Sequence, residues 1–157
     1  MKKFKAFIAL DCKTNSENIK IVKKLSSQVF GFKVGYRSFY SKGSEKLLAE
    51  IKKNRCFLFL DLKLHDIPNT VKKSIEGLKS LPINMITIHT SGGSKMMKSA
   101  MDAVRGSEIM VFGVTALTSL SDDDTNKIYQ RDASSQVNAM LDLAEESGID
   151  GVVCSPH

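Results

Sequence analysis

The sequence predicts an α/β protein built on a parallel sheet, and three observations carry that reading. Six short apolar runs recur along the 157 residues, at Phe7 to Leu10, Phe30 to Val34, Phe57 to Leu62, Met85 to Ile88, Ile109 to Val114 and Gly151 to Cys154. Between them lie five segments whose apolar residues repeat at helical spacing. The runs are continuously hydrophobic rather than alternating, which is the pattern of strands covered by helices on both faces.

The first run ends at Asp11, and Ser16 is the expected N-cap of a helix whose apolar face is Ile19, Val22, Leu25 and Val29. The second run contains Lys33. Ser44 is the expected cap of the next helix, which carries Leu47, Leu48 and Ile51, and the third run follows at Phe57. Pro68 sits where a first helical turn tolerates proline, ahead of Val71, Ile75 and Leu78. The fourth helix carries Met97, Ala100, Met101 and Val104 and is closed by Gly106; the fifth carries Val137, Met140, Leu141 and Ala144 and is closed by Gly148. No linker or low-complexity stretch divides the chain, so residues 1–157 are expected to form a single domain.

Composition narrows the class. A chain that is 42% hydrophobic and 25% charged has the balance of a soluble globular protein, and no run approaches the roughly 18 to 20 apolar residues of a membrane span. Met1-Lys2-Lys3 leads into a strand rather than a leader, so no signal peptide is expected. Cys12, Cys56 and Cys154 are odd in number, lack metal-ligand spacing and lie in or beside apolar runs, which suits reduced thiols in a cytoplasm. The net charge of +6 favours anionic ligands, but pairs such as Lys23-Lys24, Lys52-Lys53 and Lys72-Lys73 fall on helices and read as solvated faces. No membrane or nucleic-acid partner is therefore expected, and a basic nucleic-acid-binding module is the weakest of the functional readings.

The third strand carries the strongest functional signal. Phe57-Leu58-Phe59-Leu60 runs into Asp61-Leu62-Lys63, and charges at the end of a greasy strand are costly unless paired or put to use. Alternation along a strand predicts that Asp61 and Lys63, two residues apart, point the same way. Polar residues also cluster after nearly every other strand: Asp11, Lys33, His89 with Thr90, and Thr115 with Thr118 and Ser119. A barrel draws catalytic groups from the C-terminal ends of several strands, whereas an open doubly wound sheet gathers them at one switch point. The distribution favours a (β/α)8 barrel, although such barrels take about 250 residues and only six β/α units are visible.

The segment Asp61-x-Lys63-x-x-Asp66-Ile67-Pro68-Asn69-Thr70 resembles the signature of the orotidine 5'-phosphate decarboxylase family. The resemblance extends over the whole chain, through Ile8-Ala9-Leu10-Asp11, Phe32-Lys33-Val34-Gly35, Ile88-His89-Thr90-Ser91-Gly92-Gly93, Val114-Thr115-Ala116-Leu117-Thr118-Ser119 and Val153-Cys154-Ser155. It implies a TIM barrel that converts orotidine 5'-phosphate to UMP and CO2 in pyrimidine biosynthesis. Related barrels that act on sugar phosphates share Asp-x-Lys-x-x-Asp, so that pattern alone gives only the wider group. His65 and Ile67-Pro68-Asn69-Thr70 resemble the orotidylate branch, and Lys33 stands where the sister enzymes have an acidic magnesium ligand.

From the resemblance, Lys33, Asp61, Lys63 and Asp66 form an alternating charge network in which Lys63 donates a proton and Asp66 comes from the partner subunit of a homodimer. Ile67 and Thr70 accompany Asp66 across that interface, Asp11 and Lys33 bind ribose hydroxyls, and Thr118 and Ser119 meet the pyrimidine edge. No metal and no cofactor is implied. His89 reads as a hydrogen-bonded structural residue, Gly92-Gly93 as a turn, and Ser121-Asp122-Asp123-Asp124 as an acidic helix start rather than a metal loop. The family's seventh and eighth strands, which bear the phosphate-binding glutamine and arginine, have no counterpart here, and Ser155-Pro156-His157 ends where the family has a glutamate, so the chain reads as truncated after strand 6. That leaves a catalytically inactive remnant, acting as a dimerising or nucleotide-binding protein, as the second reading.

Overall fold

The computed structural model describes residues 4–154; Met1-Lys2-Lys3 and Ser155-Pro156-His157, both used in the reading above, lie outside the described residues. All six expected strands form: β1 (Phe4–Ala9), β2 (Val29–Gly35), β3 (Phe57–Leu64), β4 (Met85–His89), β5 (Met110–Val114) and β6 (Gly151–Val153). They are hydrogen-bonded in the order β1-β2-β3-β4-β5-β6, with β1/β2, β2/β3 and β5/β6 parallel. A doubly wound sheet reverses its order at a switch point, and this one does not; strictly sequential order is that of successive β/α barrel units.

The five expected helices are α1 (Asn15–Leu25), α3 (Ser44–Lys53), α4 (Pro68–Leu78), α5 (Gly93–Val104) and α7 (Ala133–Ser147). Two short helices join them, α2 (Tyr36–Phe39) and α6 (Asp122–Tyr129). A single turn such as α2 leaves no periodicity to detect, and α6 is mostly polar.

Strand ends differ from the expected runs, β1 most of all, which starts at Phe4 rather than Phe7, and three expected helix boundaries shift. The N-cap of α1 is Thr14 rather than Ser16, because Thr14 and Glu17 satisfy each other's backbone N–H groups in a capping box that Ser16, inside the first turn, cannot make. Ser44 is the first residue of α3 and not its cap; Gly43 occupies that place at φ +86°, a left-handed turn open to glycine. Val29 leaves the α1 stripe and starts β2, because the helix closes at Ser26, whose N–H still reaches the Val22 carbonyl. Elsewhere the punctuation holds: Pro68 opens α4, Gly148 closes α7 at φ +68°, and Ser121 caps α6 in a box with Asp124.

The chain divides into two compact units. The first comprises residues 1–62 and 78–86. In it Leu58, Leu60 and Leu62 of β3, together with Phe32 and Val34 of β2, supply a buried sheet face, with Val22 of α1 and Leu47, Leu48 and Ile51 of α3 also in the core. Aromatic rings from β1, β2 and β3 form a cluster at one end of these strands. Phe7 meets Phe30, Phe57 and Phe59 edge-on at centroid distances of 5.5, 5.7 and 5.6 Å, and Phe30 stacks on Phe57 at 4.8 Å.

The second unit comprises residues 63–77 and 87–157. Its core contains Val71 and Ile75 of α4, Ile88 of β4, Met96, Met97 and Ala100 of α5, Val111 and Val114 of β5, and Met140 and Ala144 of α7. Thr90 donates to the Val114 carbonyl at 2.8 Å, and Thr115 donates through both its N–H and its hydroxyl to the Val153 carbonyl. Among the described residues, no helix is long and apolar enough to cross a membrane.

Gly31 in β2 is the most closely packed of the described glycines in the first unit. A Cβ there meets the Phe57 carbonyl oxygen at 2.3 Å, the Phe57 Cβ at 2.7 Å and the Phe7 ring at 2.8 Å. Backbone cannot yield as a side-chain tip can, so Gly31→Ala is expected to destabilise the protein by about 1–3 kcal/mol. A lowered urea midpoint at unchanged m-value checks this; a midpoint equal to the parent's refutes it.

Candidate active site

The candidate site begins where β2 and β3 end. Parallel register pairs Gly31 with Phe57, Lys33 with Phe59 and Gly35 with Asp61. Lys33 therefore needs to reach only two residues further along its neighbour, and its Nζ lies 3.1 Å from Asp61 Oδ2. The Asp61 side chain is 11% exposed and that of Lys33 29%, so the carboxylate is largely withdrawn from water beside a cation that remains accessible. Tyr36 follows Gly35 directly; burial first, then Tyr40, then the Asp61 carboxylate push its phenol above the ordinary tyrosine range.

Asp11 is exposed, one residue beyond the fully buried Leu10, and it is held through its backbone. Leu10 N–H donates to the Lys33 carbonyl at 2.9 Å, Ser38 Oγ donates to the Leu10 carbonyl, Arg37 Nη1 reaches the Asp11 carbonyl at 3.3 Å, and Cys12 N–H donates to Asn18 Oδ1 at 3.2 Å. Asn18 in turn donates to Ser38 Oγ at 2.9 Å and to Asn15 Oδ1 at 3.1 Å, while Asn15 donates to the Ser38 carbonyl at 2.9 Å. A Cβ built on Gly35 would lie 3.9 Å from Asp11 Oδ1, so Gly35 leaves the carboxylate room.

At Lys63, the next-to-last residue of β3, the extended backbone is interrupted. Its φ is +45°, a left-handed conformation that costs a residue other than glycine on the order of 1–3 kcal/mol. This corrects the expectation drawn from simple alternation. The pleat is regular only through Leu62, so strand geometry alone does not set the direction of the Lys63 side chain. Lys63 N–H donates to Thr87 Oγ1 at 2.9 Å. Asp66, Ile67 and Thr70 are all exposed around the start of α4, with Ile67 at 67%. The Asp66 carboxylate accepts from Ile67 N–H at 2.7 Å, and the Ile67 carbonyl accepts from the N–H groups of Thr70 and Val71.

Thr118 and Ser119 are the exposed central residues of the turn between β5 and α6, closed by Leu120 N–H to the Leu117 carbonyl at 3.0 Å. Thr118 also lines a cavity of about 470 Å³ with residues of α7. A separate cavity of about 730 Å³, between the starts of α1 and α3, contains none of the expected site residues. His89 faces His65 with ring centroids 5.3 Å apart and planes tilted by 43°. Gly92 and Gly93 form the end of a 3₁₀ turn and the first residue of α5.

The structure thus brings Lys33 and Asp61 into contact within the first unit and groups Asp66, Ile67 and Thr70 within the second. The sequence reading missed Asn15, Asn18 and Ser38, which are 4%, 0% and 2% exposed, and Thr87, which is fully buried. Thr87 alone left a signal, a hydroxyl between Ile86 and Ile88 in an otherwise apolar strand. The asparagines sit on a helix surface in the sequence pattern, and only the fold shows that their side chains turn inward.

The model of the orotidine 5'-phosphate decarboxylase / HUMPS family matches residues 5–157. The chain belongs to this family. Among its relatives, the orotidine 5'-phosphate decarboxylase of Wolbachia pipientis subsp. Culex pipiens is 41% identical over 148 residues, covering 94% of this chain and 65% of that protein. The one from Idiomarina loihiensis is 38% identical over 154 residues, covering 96% and 66%. The chain spans about two thirds of the length of these curated relatives. Among solved structures, orotidine 5'-phosphate decarboxylase from Lactobacillus acidophilus superposes with a TM-score of 0.84 at 36% identity, covering 97% of this chain and 71% of that one. An uncharacterised conserved protein from Geobacillus kaustophilus gives a TM-score of 0.85 at 32% identity, covering 94% and 72%. The TIM-barrel lineage expected from the sequence is that of the family.

Lys33→Met keeps the length of the side chain and removes its charge, leaving Asp61 without this partner. The expected loss is about 1–3 kcal/mol, and Lys33→Met combined with Asp61→Asn recovers part of it. Chemical denaturation of both single variants and the double variant tests the coupling; strictly additive losses refute it.

Proposed function

We propose that this chain carries the charge network of an orotidine 5'-phosphate decarboxylase, which converts orotidine 5'-phosphate to UMP and CO2 in de novo pyrimidine biosynthesis. The observation that carries the reading is the Lys33–Asp61 ion pair, set by the β2/β3 register at the strand ends that lead into Asp61-x-Lys63-x-x-Asp66. A largely buried carboxylate beside a fixed ammonium, followed by a second lysine, suits a reaction that develops negative charge on carbon.

In this reading the bond between C6 of the base and its carboxyl carbon breaks, the electron pair stays on C6, and CO2 leaves. The Lys63 ammonium stabilises that developing carbanion and delivers a proton to C6, giving UMP. Preorganised charge directed at the atom where charge appears is commonly the largest catalytic contribution. Asp61, fixed by Lys33, repels the departing carboxylate, a ground-state effect secondary to the role of Lys63. Asp11 and Lys33 hold ribose hydroxyls; Asp11 has the exposed carboxylate and the tied backbone that this task needs. Thr118 and Ser119 meet the pyrimidine edge from their turn. The reaction as written needs no metal or cofactor. Cys12, Cys56 and Cys154, none of them in a disulfide among the described residues, agree with a cytoplasmic setting.

We also propose a homodimer in which Asp66, Ile67 and Thr70 enter the partner's site. Ile67, at 67% exposure, is a large apolar side chain presented beside an exposed carboxylate, the combination suited to an interface that also places a charge.

Two measurements test these proposals. Conversion of orotidine 5'-phosphate to UMP by this polypeptide is expected to fall by at least about 100-fold in Lys63→Ala. No turnover by the parent chain at any concentration rejects the enzymatic reading and leaves a nucleotide-binding or dimerising protein. Sedimentation velocity over a wide concentration range should show a dimer weakened in Ile67→Asp; a strictly monomeric parent overturns the interface.

A further inference from the structure

We propose that Thr87 is a positioning residue for Lys63: by accepting the Lys63 N–H, its hydroxyl holds the left-handed backbone turn from which the Lys63 side chain departs. The inference deepens the reading of Lys63 as proton donor and rests on it.

The observations that support this assignment concern Lys63 and Thr87, both in the second unit. Lys63 is one of three residues other than glycine with positive φ among those described, and it lies at the end of a strand where extended backbone is the default. Such a conformation persists only where its surroundings over-determine it. Thr87 Oγ1 is 2.9 Å from Lys63 N, and Thr87 is fully buried between Ile86 and Ile88, both also fully buried. A hydroxyl in such a place is retained where it makes hydrogen bonds, since burying it unpaired is costly.

A second fastening lies two residues further along each chain segment, at His65 just past β3 and His89 at the end of β4. The ring of His65 rests against that of His89, and Gly92 lies close by, where a Cβ would meet Met96 Sδ at 2.1 Å and stand 3.3 Å from His65 Cδ2. Thr87 and His89 on β4 thus grip Lys63 and His65, bracketing Leu64. The chain is fixed on both sides of the residue that follows the proposed proton donor. Errors of about 1 Å in the placement of a reacting group can cost 100-fold in rate, so a backbone held at this point bears directly on proton delivery.

The test compares Thr87→Val, nearly isosteric but without the acceptor, with Thr87→Ser, which keeps it, in the full 157-residue chain. Two readouts are taken: hydrogen exchange of the Lys63 amide by NMR, and kcat and KM for UMP formation. Thr87→Val is expected to lose about tenfold of the Lys63 amide's protection. Its kcat should fall by about 10- to 100-fold while KM stays within about twofold, and Thr87→Ser should retain parent values in both readouts. If Thr87→Val does not fold, Thr87→Cys, with similar volume and a much weaker acceptor, replaces it.

Undiminished Lys63 protection in Thr87→Val overturns the inference. So does lost protection with unchanged kcat in an active chain. A parent without turnover rejects the functional reading instead, and the exchange comparison alone then decides whether Thr87 fixes Lys63.

Discussion

The register of β2 against β3 is the constraint from which the charged end of the first unit follows. Gly31 packs so closely on Phe57 that no side chain fits between them, and the surrounding ring cluster of Phe7, Phe30, Phe57 and Phe59 fills that end of the sheet face. With Gly31 opposite Phe57, Lys33 falls opposite Phe59 and Gly35 opposite Asp61. A slip of one residue would move every side chain of β2 to the other face, burying Lys33 among the leucines and exposing Phe32 and Val34. The apolar end of the strand pair therefore fixes the polar end. The 3.1 Å ion pair is a consequence of packing two residues away rather than the force that aligns the strands.

A different kind of constraint holds Asp11. Its side chain is exposed, while the chain around it is held by groups buried in the core. Ser38 ties down the Leu10 carbonyl and Asn18 the Cys12 amide, while Asn15 joins the two through the start of α2. Buried amides and hydroxyls are expensive unless fully partnered, and among the described residues no buried side-chain polar atom lacks a partner. Rigidity in the scaffold and exposure at the functional group are supplied by neighbouring residues, one on each side of Asp11.

Much of this was legible in the sequence because the physics behind it is local. Six apolar runs became six strands, although burial through consecutive residues is seen in β4 and not in β1 or β6. Asp61 and Lys63 stood out because charge at the end of such a run is conspicuous. What escaped was set by tertiary partners. Thr14 displaced Ser16 as a cap because Glu17 could answer it, and α2 was too short to impose a period. Asn15 and Asn18 look like any polar residues at a helix start until the fold turns them inward onto Ser38. The left-handed backbone of Lys63 left no trace at all, since lysine is an unremarkable choice for a strand and a poor one for φ of +45°.

That last mismatch bears on how the motif works. A residue chosen for backbone ease at this position would be glycine or asparagine, and neither carries the ammonium group on which the proposed role of Lys63 depends. Lysine therefore occupies a site its backbone resists, and the opposing stabilisation has to come from outside the residue. A hydrogen bond to its N–H is an effective source, because it acts on the strained torsions themselves and leaves the side chain unencumbered. Asp61 sits two residues earlier on regular extended backbone, where strand register is sufficient to place it. On the proposed reading the two charges of one short motif are held by separate means: strand pairing places the Asp61 carboxylate, and the Thr87 hydroxyl bonds the backbone N–H of Lys63. Their alternation in sequence is compatible with this arrangement without being its cause.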